Sequence, residues 1–440
     1  MCLPFTKRIL SIALPVFLLG CSSIRTTNSL WRDVDLSMTA FDGHSTYRVG
    51  DGNPNLIAGV DVTAMRGKWL KLSGRVNDSS ADIGFRITLK MGSRFVGASL
   101  PALCESLEGP TSCTAYSWIP PDATTATVAV WPQAFSADVS DLRVQMSGQL
   151  IEAPQSRVRL ANILATIREN YYLSDEVDWD AVERTASQPL RAPEGIDPLP
   201  AAVAVVRQML PGNKHTLLVR SQERVPDRVS LPDMPSCRPI DGNTWLLELP
   251  SIGRQPSSVY DRYIAAARTC FTEAQQQTRW IVDLRENRGG AMPPMLAALA
   301  PLIRYGPLLS FVNSTGTQIP VSLRSDGIAI GPNLVLPHQN PAGTHANVPV
   351  VAWIGERCGS SCEAVVIALE ERPDTVLVGE PTAGLTTGNE IFPVSQDYDL
   401  VLSTGWMAHT DGRRAPDKIV PHIQSSDEDA TALLGYFPRR

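Results

Sequence analysis

The second half of the chain alternates nearly continuous apolar runs with segments of helical periodicity. The runs predicted as strands are "NTWLLELPSIG", "RWIVDLRE", "VPVVAWIG", "DTVLVGEP" and "YDLVLSTGWMA". Helical spacing occurs in "SVYDRYIAAARTCFTEAQQQ", "MPPMLAALAPLI" and "CEAVVIALEE". Strands that are apolar on both faces must be covered on both faces, which is typical of α/β layers. We therefore predict an α/β core over residues 221–436.

Residues 22–150 show short alternating runs and no helical stretch. In "GFRITLKM" the apolar side chains of Phe85, Ile87, Leu89 and Met91 alternate with polar ones, the period of a half-buried strand. Several such strands separated by turn residues predict an antiparallel β-sandwich. The closing stretch "AYSWIPPDATTATVAVWPQAFSADVSDLRVQ" resembles jelly-roll, carbohydrate-binding-like modules. Glycan binding and a docking or spacer role both stay open for this domain.

Between these two parts lie a linker, Leu150–Ser156, and a helical segment predicted over residues 156–220. A second helix is expected to begin with Asp197 as N-cap and Pro198 at its first position. One apolar stripe is predicted on the first helix, formed by Val158, Leu164, Ile167 and Tyr171.

The N-terminus has the pattern of an export signal. Two basic residues precede the apolar run Ile9–Gly20, which Pro15 interrupts and which is short for a membrane span. The run ends in "LLGC", which resembles a bacterial lipobox and implies a signal peptide over residues 1–21 with a lipid on Cys21. By the same resemblance, Ser22 favours the outer membrane, facing the periplasm. An ordinary cleaved signal with an incidental cysteine is the alternative.

Six cysteines remain after Cys2 and Cys21. An even number in an exported chain suggests disulfides, and proximity in sequence favours the pairs Cys104–Cys113, Cys237–Cys270 and Cys358–Cys362. Metal binding is the alternative, although no CxxC or clustered histidine accompanies them. A net charge of −6 without a basic stripe argues against nucleic-acid binding.

A candidate nucleophile lies where the apolar strand "VPVVAWIG" turns into the helix that starts near Cys362. The turn contains Ser360 and Ser361. Free N–H groups and the positive dipole end of the helix favour a developing oxyanion there. The alternative is that Ser360 only caps the helix.

Three segments together resemble the C-terminal processing, or tail-specific, serine peptidase family, including its tricorn-like Ser/His branch. They are "LPGNKHTLL", "TRWIVDLRENRGG" and "GERCGSSCEAVVIALEERPDTVLVGEPTAG". The resemblance implies a helical cap and a crotonase-like α/β core. It assigns the nucleophile three residues before Glu363, which is Ser360. In the Ser–Lys members a lysine base follows "GEPT-G", but here that position is Leu385. The tricorn-like branch uses a histidine before the core, which implies His215, and histidine titrates in the range a general base needs.

The same resemblance implies the remaining site residues. The oxyanion donors are expected to be the N–H groups of Gly289 or Gly290 and of Ser361. The position that matches the family's orienting Glu is Ala415, so Asp417 is preferred over Asp411 as its substitute. A solvated loop carboxylate and the use of no acid are alternatives.

We therefore expect an exported, lipid-anchored serine peptidase that acts on a peptide or protein. No metal or organic cofactor is implied. About sixty residues separate His215 from "WIVDLR", which leaves no room for an inserted PDZ domain. Two alternatives stay open: a degenerate core that binds peptide or glycan, and an envelope esterase or amidase.

Overall fold

A computed structural model describes residues 31–34, 47–49, 56–77, 83–98, 103–105, 111–132, 137–221, 232–274, 279–339, 343–426 and 429–437. The proposed signal peptide and Cys21 lie outside these residues. The chain divides into two compact units, Met1–Ala165 with Glu176–Pro211, and Thr166–Asp175 with Gly212–Arg440. The predicted helical segment 156–220 is thereby shared between the units.

The first unit contains two large antiparallel sheets, besides a two-stranded sheet between residues 151–152 and 191–192. Its strands are β1 (Trp31–Asp33), β2 (Tyr47–Val49), β3 (Leu56–Asp61), β4 (Trp69–Val76), β5 (Ile83–Met91), β6 (Arg94–Ala98), β7 (Leu103–Glu105), β8 (Thr111–Trp118), β9 (Thr125–Pro132) and β10 (Ala137–Ser147). One sheet has the order β1-β10-β4-β8-β7, with β2 also paired to β10, and the other has the order β3-β9-β5-β6. Side chains of both sheets, such as Leu72 and Ile87, share one buried cluster.

The alternation predicted for β5 holds over most of its length. Phe85, Ile87 and Leu89 are buried, and the polar residues between them are exposed or half-buried. Met91 was predicted on the buried side but is 37% exposed, because it ends the strand at the turn into β6. In the same unit, Cys104 and Cys113 are paired residues of β7 and β8 and form a disulfide.

The helical segment contains α1 (Pro154–Asn170), α2 (Trp179–Ala186) and α3 (Leu199–Met209), with the short strands β11 (Ile151–Glu152) and β12 (Arg191–Ala192). On α1, Leu164 and Ile167 are buried as predicted, and so is Tyr171, the residue that follows the helix. Val158 is 64% exposed, so its inclusion in the stripe was wrong. Val158 and Leu164 are six residues apart, which at 3.6 residues per turn is a rotation of about 240° around the helix axis. Val158 therefore does not lie on the same face as Leu164.

Helix α3 begins one residue later than the capping pattern predicted. Pro198 stands at the N-cap position, and helical structure begins at Leu199. The carboxylate of Asp197 accepts a hydrogen bond from the Leu199 N–H at 3.0 Å. Asp197 therefore satisfies a free N–H of the first turn, as a capping residue does, but from one position earlier.

The second unit contains a parallel sheet and an antiparallel sheet. Its strands are β13 (Leu217–Arg220), β14 (Ser236–Asp241), β15 (Thr244–Glu248), β16 (Arg279–Asp283), β17 (Gly306–Asn313), β18 (Gln318–Arg324), β19 (Gly327–Ile330), β20 (Asn333–Pro337), β21 (Val350–Ile354), β22 (Thr375–Gly379), β23 (Thr387–Pro393), β24 (Tyr398–Ala408) and β25 (Ile423–Gln424). Its helices are α4 (Ser257–Glu273), α5 (Met292–Ala298) and α6 (Ser361–Glu370).

The predicted covered sheet has the order β14-β15-β16-β21-β22-β25 and is parallel from β15 to β25. On one face, Val282 and Val350 pack in a cluster with residues of α4, α5 and α6. On the other face, Ile281 and Trp353 pack with the C-terminal 3₁₀ segment Ala430–Tyr436. Burial on both faces explains why these strands are apolar throughout.

The strand predicted over "YDLVLSTGWMA" is present as β24, but it belongs to the antiparallel sheet and not to the covered parallel sheet, where it was predicted. The order of the antiparallel sheet is β13-β24-β17-β18-β19-β20, with β23 also paired to β24. Leu309 and Val321 of this sheet belong to the same cluster as the helices. Within the described ranges, none of the helices combines the length and the apolarity that crossing a membrane requires.

Candidate active site

The candidate residues gather at the carboxyl edge of the parallel sheet. The glycine turn follows β16, Ser360 follows β21, and the segment 382–387 follows β22. Open parallel sheets bind their ligands at this edge, because the loops after neighbouring strands meet there.

Ser360 immediately precedes α6 and has an unusual backbone conformation, with φ 59° and ψ −118°. Among the described non-glycine residues, only Asp141 shares a positive φ. An ordinary N-cap residue has β-region dihedral angles, and a side chain in this other region costs roughly 1–3 kcal/mol. Strain of this kind concentrates at functional sites, where it aims a side chain.

Gly289 and Gly290 lie directly against this turn. Their φ angles are 89° and 121°. A Cβ on Gly289 would lie 2.4 Å from the Gly359 oxygen and 3.1 Å from the Ser360 Cβ. A Cβ on Gly290 would lie 2.2 Å from the Ile252 oxygen. Both positions therefore require glycine, by conformation and by space.

The two glycines differ in what their N–H groups do. The Gly289 N–H already donates to the Asn287 Oδ1 at 2.9 Å. The Asn287 side chain is itself anchored by a bond from its Nδ2 to the Leu249 oxygen at 2.9 Å. The Ser361 hydroxyl donates to the Gly290 oxygen at 2.7 Å, which ties the glycine turn to the start of α6. Of the predicted donors, Gly290 and Ser361 therefore fit an oxyanion hole better than Gly289.

Glu363 organises the turn from inside. It is fully buried, and its carboxylate accepts four hydrogen bonds. The donors are the N–H of Ser360 at 2.9 Å, the hydroxyl of Thr382 at 2.5 Å, and the N–H groups of Gly384 at 2.9 Å and Leu385 at 2.7 Å. Burial raises the pKa of Glu363, and these hydrogen bonds oppose that rise. In the sequence, Glu363 served only to locate Ser360 three residues earlier, and its hydrogen bonds were not predicted.

The predicted disulfide between Cys358 and Cys362 is present, with the Cα atoms 5.3 Å apart. Both cysteines are fully buried, and they bracket Ser360. The bridge therefore joins the loop before Ser360 to the first turn of α6. The pair Cys237–Cys270 is also present and joins β14 to α4.

His215 reaches the same region from a distant part of the chain. Its Nδ1 lies 2.7 Å from the Oγ1 of Thr387, the first residue of β23. Two residues earlier, Leu385 is bound to Glu363, and its side chain lies beside Gly359. The segment 384–387 thus contacts His215 at one end and the Ser360 turn at the other. Burial, and after it the charge of Lys214, lowers the pKa of His215.

The structure gives His215 a different partner from the predicted Asp417. The Asp417 carboxylate pairs with the Lys214 Nζ at 3.4 Å, and its side chain is 70% exposed. Asp411 is also exposed and lies 3.8 Å from the Arg413 Nε. Thr387 was not predicted, because a single threonine on a strand carries no signal until the fold shows what it faces.

Within the described residues, no group of three or more His, Cys, Asp or Glu side chains could hold a metal ion. Ser360, the two glycines and Glu363 meet at one turn, and the segment 384–387 links that turn to His215. A serine on a helix N-terminus, with backbone donors beside it and a histidine in the same region, can perform acyl transfer.

Comparison with known proteins assigns the class. Residues 245–425 match peptidase family S41, a stretch that includes the glycine turn and Ser360 but not His215. A nisin-resistance protein of Lactococcus lactis subsp. lactis is 25% identical over 283 residues, covering 64% of this chain and 86% of that protein. The structure of a lipoprotein from Streptococcus agalactiae superposes with a TM-score of 0.54 and 20% identity, covering 64% of this chain and 96% of that one. That likeness shows the fold alone.

The match places a peptidase-family domain in the α/β core. The chain carries a domain of peptidase family S41, the C-terminal processing peptidase family, which confirms the resemblance of its motifs.

Proposed function

We propose that the protein is an exported serine peptidase that hydrolyses peptide bonds by a Ser–His mechanism of the tricorn-like kind. Ser360 is the nucleophile, and His215 is the general base. The N–H groups of Gly290 and Ser361 form the oxyanion hole. In this proposal the second unit is a crotonase-like core, and the two sheets of the first unit form a β-sandwich.

The observation that carries the proposal is the backbone of Ser360. Ser360 and Glu363 form the capping box of α6, and such capping needs no positive φ, yet Ser360 lies at φ 59° between the disulfide and the glycine turn. Such a conformation persists only where the surroundings enforce it. A residue that only capped α6 would not explain this arrangement.

The reaction follows from the roles of these groups. The Ser360 Oγ attacks the carbonyl carbon of the scissile bond while His215 takes its proton. The tetrahedral oxygen gains negative charge and accepts hydrogen bonds from the Gly290 and Ser361 N–H groups. The protonated His215 then gives its proton to the leaving amine. Water, deprotonated by His215, hydrolyses the acyl-enzyme and restores Ser360.

The location of the protein belongs to the same proposal. A lipid on Cys21 would hold the protein at the outer membrane, facing the periplasm. The Streptococcus structure is named a lipoprotein, which supports an envelope location. A glycan at the first unit stays a prediction that no contact of the described residues tests.

Labelling with a fluorophosphonate probe tests the proposed mechanism. We expect the wild-type protein to be labelled, Ser360→Ala to lose all labelling, and His215→Ala to lose about 10²–10⁴-fold in rate, the usual contribution of a general base. Ser325→Ala, on an exposed turn of the second unit, and His422→Gln are matched controls that should label at the wild-type rate. A wild-type protein without Ser360-dependent labelling would favour the binding-protein alternative.

The substrate class needs a second measurement. A panel of peptides and of ester and amide model compounds separates a peptidase from an envelope esterase or amidase. Because the Lactococcus relative is named for nisin resistance, nisin belongs in the panel. Ser360-dependent cleavage of esters without any peptide cleavage would overturn the peptidase assignment.

A further inference from the structure

We infer that Thr387 is the positioning residue of His215 and takes the place that a carboxylate holds in a Ser–His–acid triad. The inference rests on the proposed function for its consequence in catalysis. Its structural part, namely which ring nitrogen of His215 carries the proton, can be tested without measuring any reaction.

The contact is short and partly buried. The His215 Nδ1 and the Thr387 Oγ1 are 2.7 Å apart, and Thr387 is 7% exposed. Among the described residues, this is the hydrogen bond formed by the His215 ring. A hydrogen bond at this distance to a buried hydroxyl orients the half-buried ring.

The backbone around Thr387 is fixed by the antiparallel sheet. Thr387 is paired with Trp406 in the register of β23 and β24. Its neighbour Thr386 accepts a bond at its carbonyl oxygen from the Met407 N–H at 3.0 Å. The Thr386 hydroxyl donates to the Pro416 oxygen at 3.0 Å. The hydroxyl of Thr387 is therefore presented from a held strand end and not from a free loop.

The carboxylate expected in this role is engaged elsewhere. Asp417 is largely exposed and paired with Lys214, the residue next to His215. A carboxylate at Nδ1 would stabilise the protonated ring by charge, whereas a hydroxyl offers only a dipole. The lowered pKa of His215, caused by burial and then by Lys214, agrees with a ring that has no acid at Nδ1.

The tautomer decides whether His215 can act as a base. With the proton on Nδ1, that N–H donates to the Thr387 oxygen and the lone pair of Nε2 is free to accept the Ser360 proton. With the proton on Nε2, the Thr387 hydroxyl donates to Nδ1 and no base faces the serine. The proposed role of Thr387 requires the first arrangement.

Nitrogen NMR of protein labelled with ¹⁵N-histidine reads the tautomer directly. The chain has six histidines, and the spectrum of His215→Gln assigns the signal of His215. In the wild-type protein we expect His215 to be protonated on Nδ1. Thr387→Val, which keeps the shape but removes the hydroxyl, should shift the population toward the Nε2-protonated tautomer. Thr387→Ser should restore the wild-type signal.

The labelling rate of Ser360 by the fluorophosphonate probe gives the functional readout. Thr387→Val should lower this rate by about 10–100-fold, less than the loss of the base itself. Thr387→Ser should recover to within about threefold of wild type, since it keeps the hydroxyl that orients the base. The matched control is Thr404→Val on β24, whose hydroxyl bonds the Glu390 carboxylate and not His215, and it should leave both the tautomer and the rate unchanged.

Two outcomes overturn the inference. One is a wild-type His215 protonated on Nε2 in the neutral ring. The other is a folded Thr387→Val protein, checked by its thermal unfolding, that keeps the wild-type tautomer and rate. Failure of the proposed function looks different: the wild-type protein is then unlabelled, while the effect of Thr387→Val on the tautomer is still present.

Discussion

The turn that contains Ser360 packs against Gly289, and the space between them admits no side chain at position 289. Gly289 approaches the Gly359 oxygen and the Ser360 Cβ so closely that the two turns form one unit. At the scale of single residues, the site is therefore sensitive to changes that add a methyl group without touching charge or polarity.

Gly289→Ala should disrupt this contact. Its Cβ would fall 2.4 Å from the Gly359 oxygen, so the Ser360 turn must move. We expect labelling of Ser360 to fall by about a hundredfold, since a misplacement near 1 Å has that effect. Gly316→Ala is the matched control, because Gly316 has φ 78° but nothing within 4 Å of a Cβ. Equal labelling of both variants would contradict the argument.

Lys214→Gln should move the pH profile. His215 acts as a base only when neutral, and burial and then Lys214 lower its pKa. Removing the Lys214 charge lets that pKa rise, so the ring is protonated at a higher pH. The acid limb of the labelling rate should therefore shift upward in pH. Lys418→Gln removes a nearby charge that does not act on His215 and should leave the limb in place; a downward shift in Lys214→Gln would contradict the sign.

Asp417→Asn separates a salt bridge from a catalytic acid. If Asp417 only pairs with Lys214 at an exposed position, its loss should change the labelling rate by no more than about fivefold, the range of a surface ion pair. Loss of an orienting carboxylate costs far more, about 10⁴-fold in the serine protease triad. A steady-state rate at pH 8 distinguishes the two, and a loss above about a hundredfold would restore Asp417 to the predicted role.

At the scale of elements, the first turn of α6 connects the loops that form the candidate site; we call this turn and its contacts the α6 junction. Its N-terminal residues connect through Glu363 to the segment after β22 and through Ser361 to the turn after β16. Three loops of one sheet edge are thereby held together by a single helix start. The disulfide adds a covalent link to the α6 junction, between the loop after β21 and the first turn of α6.

Replacing Cys358 and Cys362 with alanine should make the α6 junction less rigid. The loop they close is short, so the chain-entropy gain of the bridge is about 2 kcal/mol of unfolding free energy. We expect lower thermal stability together with slower labelling of Ser360. The matched control replaces Cys104 and Cys113, a bridge of the first unit, which should cost stability but leave the labelling rate unchanged. Unchanged labelling in the Cys358/Cys362 variant would show that the bridge does not aim the nucleophile.

At the scale of the whole molecule, the chain consists of two units with separate buried clusters. All residues of the proposed catalytic site belong to the second unit. If the anchor is Cys21, its loss should change where the protein is and not what it does. Cys21→Ser should move the protein from the membrane fraction to the soluble fraction with an unchanged labelling rate. Retention of the variant in the membrane fraction would contradict a lipid at this position.

Local pattern predicted much of this architecture. Strand β24 occupies the predicted residues, and the covered parallel sheet follows from runs such as "VPVVAWIG". The strands from β17 to β20 were not predicted, because their short apolar runs are interrupted by glycine and proline and become strands only by pairing with each other. Val158 and Met91 were also predicted wrongly from local pattern. Val158 is exposed because of its angular position on the helix, and Met91 is exposed because it ends its strand.

The amino-acid sequence by itself determined the resemblance to the peptidase family and a candidate nucleophile and favoured the pairs of cysteines, because these depend on motifs and spacings within short stretches. The tertiary structure alone decided which group His215 contacts. His215 and Thr387 are 172 residues apart, and no local pattern links a histidine after α3 to a threonine at the start of β23. The same fold turned Asp417 toward Lys214. Contacts between distant segments depend on how strands pair and helices pack, and this is why the contact between His215 and Thr387 emerged only from the folded chain.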